Sequence, residues 1–203
     1  LDINATVENR PTLYELVSRI AKNINIPFTV GGGVRTIQDI KRLLNAGADK
    51  VSIGSAAIMN PNLVNEASKE FGSQCIVVSV DPKKEASGNW EIFIRGGRDA
   101  TGVDAIKFCK DMEARGAGEL LVNSLDRDGT KSGYDLELLQ KISESVSVPV
   151  IASSGAGTMQ HFFEALSAGK ADAVLSASLF HSNELEIPDL KKYLSEKDIL
   201  IRV

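Results

Sequence analysis

Short apolar runs alternate with longer amphipathic stretches from one end of the chain to the other. The runs are continuous rather than strictly alternating, which is typical of parallel strands that helices cover. This order predicts a parallel α/β fold, and it allows either an open doubly wound sheet or a closed barrel. The predicted strands are LDI (1–3), PFTV (27–30), KVSI (50–53), CIVVSV (75–80), ELLV (119–122), PVIAS (149–153) and AVLS (173–176).

The amphipathic stretches predict helices between these strands. In TIQDIKRLLNAG (36–47), Ile40 and Leu43 lie on one apolar face, Thr36 can cap the start and Gly47 can close the end. Residues 82–97 interrupt the alternation and predict an inserted hairpin that turns near Ser87 and Gly88. The same helical design recurs in PNLVNEASKEFG (61–72), VDAIKFCKDMEARG (103–116), DLELLQKISESV (135–146) and TMQHFFEALSAG (158–169).

An internal repeat favours the barrel over the open sheet. PFTVGGGVRTIQDIKRLLNAGADKVSIGSAA (27–57) nearly recurs as PVIASSGAGTMQHFFEALSAGKADAVLSASL (149–179), at an offset of 122 positions. Two such modules indicate a (βα)8 TIM barrel built from two half-barrel repeats, as a single domain over residues 1–203. At the same offset, the counterpart of the strand that ends at Asp81 would precede Leu1. We therefore expect the first strand and helix of the barrel to be absent from this chain.

Composition narrows the possible partners. The net charge is −4 and the basic residues are scattered, which argues against nucleic-acid binding, and no apolar run is long enough to span a membrane. Cys75 and Cys109 lie in apolar patterns and are expected to be reduced, so we expect a cytoplasmic protein. His161 and His181 lack the spacing of metal ligands and suggest structural or solvated roles. No metal or cofactor is expected.

Two glycine-rich turns are candidate phosphate sites. GGGVRT (31–36) and SSGAGT (153–158) each follow a predicted strand and precede a helix, where backbone N–H groups suit an anion. Either turn alone could serve only as a connection. However, they occupy matching repeat positions, and small-residue turns follow both, at GSAA (54–57) and SASL (176–179). The pairing favours two phosphate sites and a long substrate that carries a phosphate at each end.

Acidic residues follow several predicted strands, namely Asp2, Asp81, Asp126 and Asp128. A carboxylate seated at the rim of a barrel can have a raised pKa and exchange protons, although Asp more often caps helices or shapes turns. Asp81 is the better catalytic candidate because Pro82 follows it and makes a helix cap improbable. Asp128 could equally shape its loop or contact the substrate. Trp90 could pack within the hairpin or contact the substrate, and the sequence does not decide between these roles.

Opposite charges begin two strands, in ADKVSI and AGELLV. Lys50 and Glu119 would therefore lie at the floor of the barrel, a region that normally serves stability. They could form a simple ion pair, or they could line an opening into the barrel.

Six motifs together closely resemble the cyclase subunit of imidazole glycerol phosphate synthase, of histidine biosynthesis. The resemblance runs from the first residue to the last, and DRDGTKSGYD (126–135) is its most specific part, with the DIxAxxExR pattern at 2–10. The sister isomerase of the same pathway shares the half-barrel repeat and the phosphate turns. It has a different sequence after its second strand and after its SRDGT-like turn, so it ranks second. The motifs are LDINATVENR, FTVGGGVRT, GADKVSIGSAA, VVSVDPK, LDRDGTKSGYD and ASSGAG.

The resemblance implies a reaction and a partner. Ammonia from a glutaminase subunit, bound as a heterodimer, would condense with a bis-phosphorylated formimino-carboxamide ribonucleotide. The products would be imidazole glycerol phosphate and an aminoimidazole carboxamide ribotide.

The resemblance also implies residue roles. Asp81 matches the proton-transferring aspartate of the family's fifth strand, whereas the first-strand aspartate has no residue here. Lys50 and Glu119 match members of a charged ring that admits ammonia, and Asp49 matches a residue that faces the glutaminase. Two positions depart from the family pattern: Gly54 stands where many members have an amide side chain, and Ser154 stands where a glycine is usual. The substrate and phosphate contacts are expected at Asp2, Gly33, Gly54, Ser55, Asp128, Gly129, Gly155, Ala177 and Ser178.

A non-enzymatic alternative also remains open at this point. Without its first strand and one proton-transfer group, the chain as written would be inactive alone. It could instead be a truncated barrel that binds phosphate or docks a glutaminase.

Overall fold

The computed structural model describes residues 1–2 and 13–202 of the chain. The strands are β1 (Thr29–Gly31), β2 (Lys50–Ile53), β3 (Ile76–Lys84), β4 (Trp90–Ile94), β5 (Asp99–Asp104), β6 (Glu119–Asn123), β7 (Val150–Ser153) and β8 (Ala173–Val174). The α-helices are α1 (Tyr14–Ala21), α2 (Ile37–Asn45), α3 (Ser55–Met59), α4 (Asn62–Phe71), α5 (Ala105–Ala114), α6 (Leu136–Ser143), α7 (Met159–Ser167), α8 (Ser178–His181) and α9 (Ile187–Ser195).

The main sheet is parallel, in the order β1-β2-β3-β6-β7-β8, and helices follow its strands. This is the α/β barrel architecture that the repeat predicted, and every predicted strand from residue 27 onward is confirmed. The predicted strand at 1–3 lies partly outside the described residues, as does most of the motif at 2–10. Leu1 and Asp2 are not in a strand, but the Asp2 backbone N–H donates to the Gly31 carbonyl at 2.8 Å.

The inserted hairpin is confirmed and is larger than predicted. Strand β3 continues beyond Asp81 and pairs antiparallel with β4, with Lys84 opposite Trp90. The Gly88 N–H donates to the Glu85 carbonyl at 3.0 Å and closes the turn. A third strand, β5, pairs with β4 through a bulge. Its sequence DATGVD has no apolar run, so pairing with β4 rather than local preference makes it a strand.

The two repeats fold alike. Helices α2 and α7 have nine residues each, and their N-caps Thr36 (φ −135°, ψ 159°) and Thr158 (φ −141°, ψ 162°) have nearly the same conformation. The equivalent residues Ile40 and Phe162 are both fully buried. The same face of each helix therefore packs into the core.

The floor of the barrel is tied by two equivalent carboxylates. Asp49 Oδ2 accepts from the Phe28 N–H at 2.7 Å, and Asp172 Oδ2 accepts from the Val150 N–H at 2.8 Å. Each carboxylate precedes its strand and holds the start of the neighbouring strand, which fixes the parallel register there.

Both cysteines are free, and burial raises the pKa of the Cys109 thiol to about 12. Within the part of the chain that the structure describes, no helix is long and apolar enough to cross a membrane.

Candidate active site

A cavity of about 570 Å³ opens at the carboxyl ends of strands β1, β2, β3 and β6. Carboxyl strand ends of an α/β barrel are where active sites form. Five residues predicted from the sequence line this first cavity: Asp2, Gly33, Gly54, Ser55 and Asp81.

Asp81 is held by a neighbour that was not predicted as a site residue. Asn123, at the end of β6, donates from Nδ2 to Asp81 Oδ1 at 2.9 Å and to Ser79 Oγ at 3.0 Å. Burial raises the pKa of the Asp81 carboxyl above its ordinary value, the Asn123 hydrogen bond opposes the rise, and the charge of Asp128 adds to it. A raised pKa suits a group that must both take up and release a proton near neutral pH.

The first glycine turn encloses the cavity at its β1 side. Gly32 and Gly33 have φ values of 100° and 72°, which favour glycine. A Cβ on Gly32 would lie 2.1 Å from the Asp2 carbonyl oxygen, so this turn packs directly against Asp2. At the neighbouring strand end, Ser55 Oγ accepts from the Arg95 N–H at 3.1 Å. A residue predicted to contact phosphate is thus also in contact with the hairpin.

A second cavity, of about 270 Å³, forms at the equivalent turn of the other repeat. Ser154 lies in this turn, and its backbone, with φ 78°, has a conformation that favours glycine. The remaining predicted binding residues all line this cavity: Asp128, Gly129, Gly155, Ala177 and Ser178.

His161 lies behind this second turn. Its Nδ1 accepts from the Gly157 N–H at 3.1 Å, so the histidine has a structural role and is not simply solvated. The equivalent residue of the first repeat is Asp39, which accepts from the Arg35 and Thr36 N–H groups. The two turns are therefore held from the same helical position by different side chains.

At the floor, Lys50 and Glu119 form an ion pair across the start of β3. Their side chains are 30% and 18% exposed, so the pair is partly buried. Asp49 is exposed and bonded to the backbone as described above.

The structure decides the role of Trp90. It is 2% exposed and donates from Nε1 to Asp135 Oδ2 at 3.0 Å, so it packs beneath the hairpin and does not line the first cavity. Arg95 and Asn123 were not predicted as site residues, yet both line that cavity. For Asn123 a signal existed, since a polar residue directly follows the apolar run ELLV, as Asp81 follows CIVVSV. Arg95 carries no such signal.

Comparison with known proteins gives two matches. Residues 1–186 match the family model described as histidine biosynthesis protein. The chain is also 53% identical over 204 residues to a protein of Lachnoclostridium phytofermentans named imidazole glycerol phosphate synthase subunit HisF, and the match covers 100% of this chain and 79% of that relative.

Proposed function

Because the chain belongs to the histidine biosynthesis protein family, and within it to the cyclase subunits of imidazole glycerol phosphate synthase, we propose that Asp81 transfers protons during the cyclase reaction. The two phosphates of the substrate would bind at the two glycine-rich turns. The 53% identity to a cyclase subunit over the whole chain does not favour the sister isomerase. It also favours an enzyme over a module that only binds phosphate.

The proposed substrate is a bis-phosphorylated formimino-carboxamide ribonucleotide. Ammonia condenses with its ribulose carbonyl and water leaves. The adduct then cyclises and cleaves to imidazole glycerol phosphate and the aminoimidazole carboxamide ribotide. Each step needs a proton delivered to a departing group or removed from an attacking nitrogen, which is general acid–base work.

The environment of Asp81 is the observation that carries this proposal. Its carboxyl lies in the first cavity, just after the residues of β3 that pair with β6. It is oriented by Asn123, and its raised pKa reflects burial and the Asp128 charge. Asp128 itself lines the second cavity, so Asp81 lies within electrostatic reach of both. A carboxylic acid that lines one proposed anion site and senses the charge of a residue at the other is positioned to act on a substrate that extends between them.

The glycine turns supply the two ends of the substrate site. Gly33, Gly54 and Ser55 would bind one phosphate, and Gly155 and Ser178 lie in the cavity that would bind the other. Bare backbone N–H groups are good phosphate ligands because no side chain keeps the anion away. Position 54 has room for a side chain, since a Cβ on Gly54 would meet only the Ser79 carbonyl oxygen, at 3.9 Å.

Ammonia would reach the site from the floor. The relative is named as a subunit, which supports assembly with another chain, and we propose a glutaminase as this partner in a cytoplasmic complex. The Lys50–Glu119 pair lies at the end of the strands opposite to Asp81. Opening this pair would admit ammonia into the barrel.

The decisive experiment replaces Asp81 by asparagine in the full-length protein, with ammonium as the nitrogen donor. Asparagine keeps the size and can still accept from Asn123, but it cannot exchange a proton. We expect kcat to fall by roughly 10²- to 10⁴-fold with KM little changed. The matched control is Asp126→Asn, because Asp126 Oδ2 accepts from the Lys84 N–H at 2.7 Å and an amide oxygen can replace it. Near-full activity of the Asp81→Asn variant would show that the assignment is wrong.

A further inference from the structure

The loop between β4 and β5 turns back over the first cavity in an unusual conformation. Three successive residues, Arg95, Gly96 and Gly97, have φ values of 55°, 67° and 79°. For glycine this costs little, but for an arginine it is strained, and such strain persists where the surroundings impose it. Arg95 and Gly96 both line the cavity.

Two contacts hold Arg95 at this place. Its backbone N–H donates to Ser55 Oγ at 3.1 Å, which ties the loop to the predicted phosphate turn GSAA. Its guanidinium forms an ion pair with Asp99 on β5, with Nη1 3.1 Å from Oδ2. Both side chains of that pair are about half exposed, so the pair itself contributes little to stability.

The lining of the first cavity carries side chains of both charges. Asp2 and Asp81 contribute negative charge to its lining, while Arg35 and Arg95 contribute positive charge. A phosphate bound at Ser55 would share the cavity with two carboxylates and would need a cation beside it. Arg95 is the lining cation whose own backbone is bonded to Ser55. An arginine fork matches phosphate geometry better than it matches one carboxylate oxygen.

We propose that Arg95 is a substrate-binding residue for the phosphate at Gly54 and Ser55. In the free protein its guanidinium rests on Asp99, and on binding it exchanges this carboxylate for the phosphate. The exchange needs only side-chain rotation, because the Ser55 contact already places the backbone. This inference rests on the proposed function and adds to it a specificity for the phosphorylated end of the substrate.

The test compares three variants of the full-length protein with ammonium as the nitrogen donor. Arg95→Gln keeps the Cβ and its backbone strain but removes the charge, so we expect KM for the bis-phosphorylated substrate to rise about 10- to 100-fold with kcat little changed. Arg98→Gln, on the same exposed loop but outside the cavity lining, is the control and should leave KM within about twofold. Asp99→Asn should keep KM unchanged or lower it, because it frees the guanidinium.

A second readout does not need turnover. In calorimetric titrations with inorganic phosphate, the wild-type protein should show one binding site more than the Arg95→Gln variant over the same concentration range. If the wild-type protein binds phosphate but turns over no substrate, the proposed reaction fails while this inference stands. If Arg95→Gln behaves as Arg98→Gln does in both readouts, or if Asp99→Asn raises KM as Arg95→Gln does, Arg95 serves only the loop and the inference is overturned.

Discussion

At the scale of single residues, one turn position differs between the repeats in how strictly it requires glycine. Gly32 and Ser154 are equivalent and both have a positive φ, of 100° and 78°. Gly32 has no room for a side chain, because the Asp2 carbonyl oxygen lies 2.1 Å from where its Cβ would be. Ser154 accommodates its side chain but retains the backbone strain of a non-glycine residue. The first turn therefore requires glycine for space, and the second only prefers it for conformation.

The prediction from this contrast is a pair of opposite stability changes. Ser154→Gly should raise the free energy of unfolding by about 1 kcal/mol, because relief of strain exceeds the entropy that glycine adds to the unfolded chain. Gly32→Ala should lower it by more than that, since overlap with Asp2 is added to the strain. Urea denaturation measures both. A loss of stability in the Ser154→Gly variant would contradict the assignment of strain.

Asp81 supports a second prediction, about pH. Its pKa in the folded protein is raised above 3.8, mainly by burial, so the folded state binds more protons than the unfolded state between that value and the folded pKa. The free energy of unfolding should therefore fall as pH rises through this window. Asp81→Asn removes the titration, so the variant should be more stable than wild type at pH 7.

The comparison is thermal unfolding of the two proteins from pH 4 to pH 8. The stability gap should close as pH falls toward 4 and Asp81 is protonated. A gap that stays constant, or that favours wild type at pH 7, would show that the carboxylate is not destabilised by its site. Together with the activity test, the variant should be more stable and less active, as expected for a catalytic group held in an unfavourable environment.

At the scale of elements, the hairpin is anchored to helix α6 through one buried carboxylate. Asp135 caps α6 by accepting from the Leu138 N–H at 3.2 Å, and its other oxygen accepts from Trp90 Nε1. Lys84 and Lys141 lie 4.7 and 4.8 Å from the centre of the Trp90 ring. The tryptophan therefore joins β4 to α6, and the β4–β5 loop that reaches Ser55 depends on that anchor.

We predict that Trp90→Phe lowers the free energy of unfolding by about 1–3 kcal/mol, because the buried Asp135 Oδ2 loses its shorter hydrogen bond and keeps Ser124 Oγ as a donor, at 3.4 Å. The phenyl ring keeps much of the apolar contact, so the loss reports mainly on the hydrogen bond. Chemical denaturation measures it, and Lys141→Gln, an exposed change beside the same ring, should stay within about 0.5 kcal/mol of wild type. An unchanged stability of Trp90→Phe would contradict the anchor.

At the scale of the whole molecule, equivalent aspartates occur at the floor of both repeats. Comparing their variants separates an effect on stability from an effect on partner binding. Asp49 and Asp172 make the same backbone contact in the two halves, at 2.7 and 2.8 Å, yet only Asp49 is proposed to face a glutaminase. Each replacement by alanine should cost about 1–2 kcal/mol of stability, through one lost charged hydrogen bond.

Turnover that depends on the glutaminase should distinguish the Asp49→Ala and Asp172→Ala variants. We predict that Asp49→Ala reduces glutamine-dependent turnover in the presence of the glutaminase and leaves ammonium-dependent turnover near wild type. Asp172→Ala should leave both near wild type. An equal loss in the two variants would mean that weakening of the floor, and not a contact at Asp49, explains the effect.

The main strands, the hairpin turn and the repeat could be predicted because they follow from the order of residues and need no knowledge of tertiary contacts. Apolar runs of four to six residues, a helical period and an offset of 122 are present in the order of residues alone. The predicted binding residues of each turn also came together, because parallel strands place their carboxyl ends at one edge. The single domain over 1–203 stays a prediction, since residues 3–12 lie outside the described part.

What only the tertiary structure decided are the contacts between distant segments. Asn123 meets Asp81 from 42 positions away, Arg95 meets Ser55 from 40, and Trp90 meets Asp135 from 45. Strand β5 likewise exists because β4 lies beside it. The sequence determines which residues can be strands, turns and buried faces, since those depend on near neighbours. Which polar groups pair depends on how strands align in the folded sheet, and no local pattern of residues encodes that alignment.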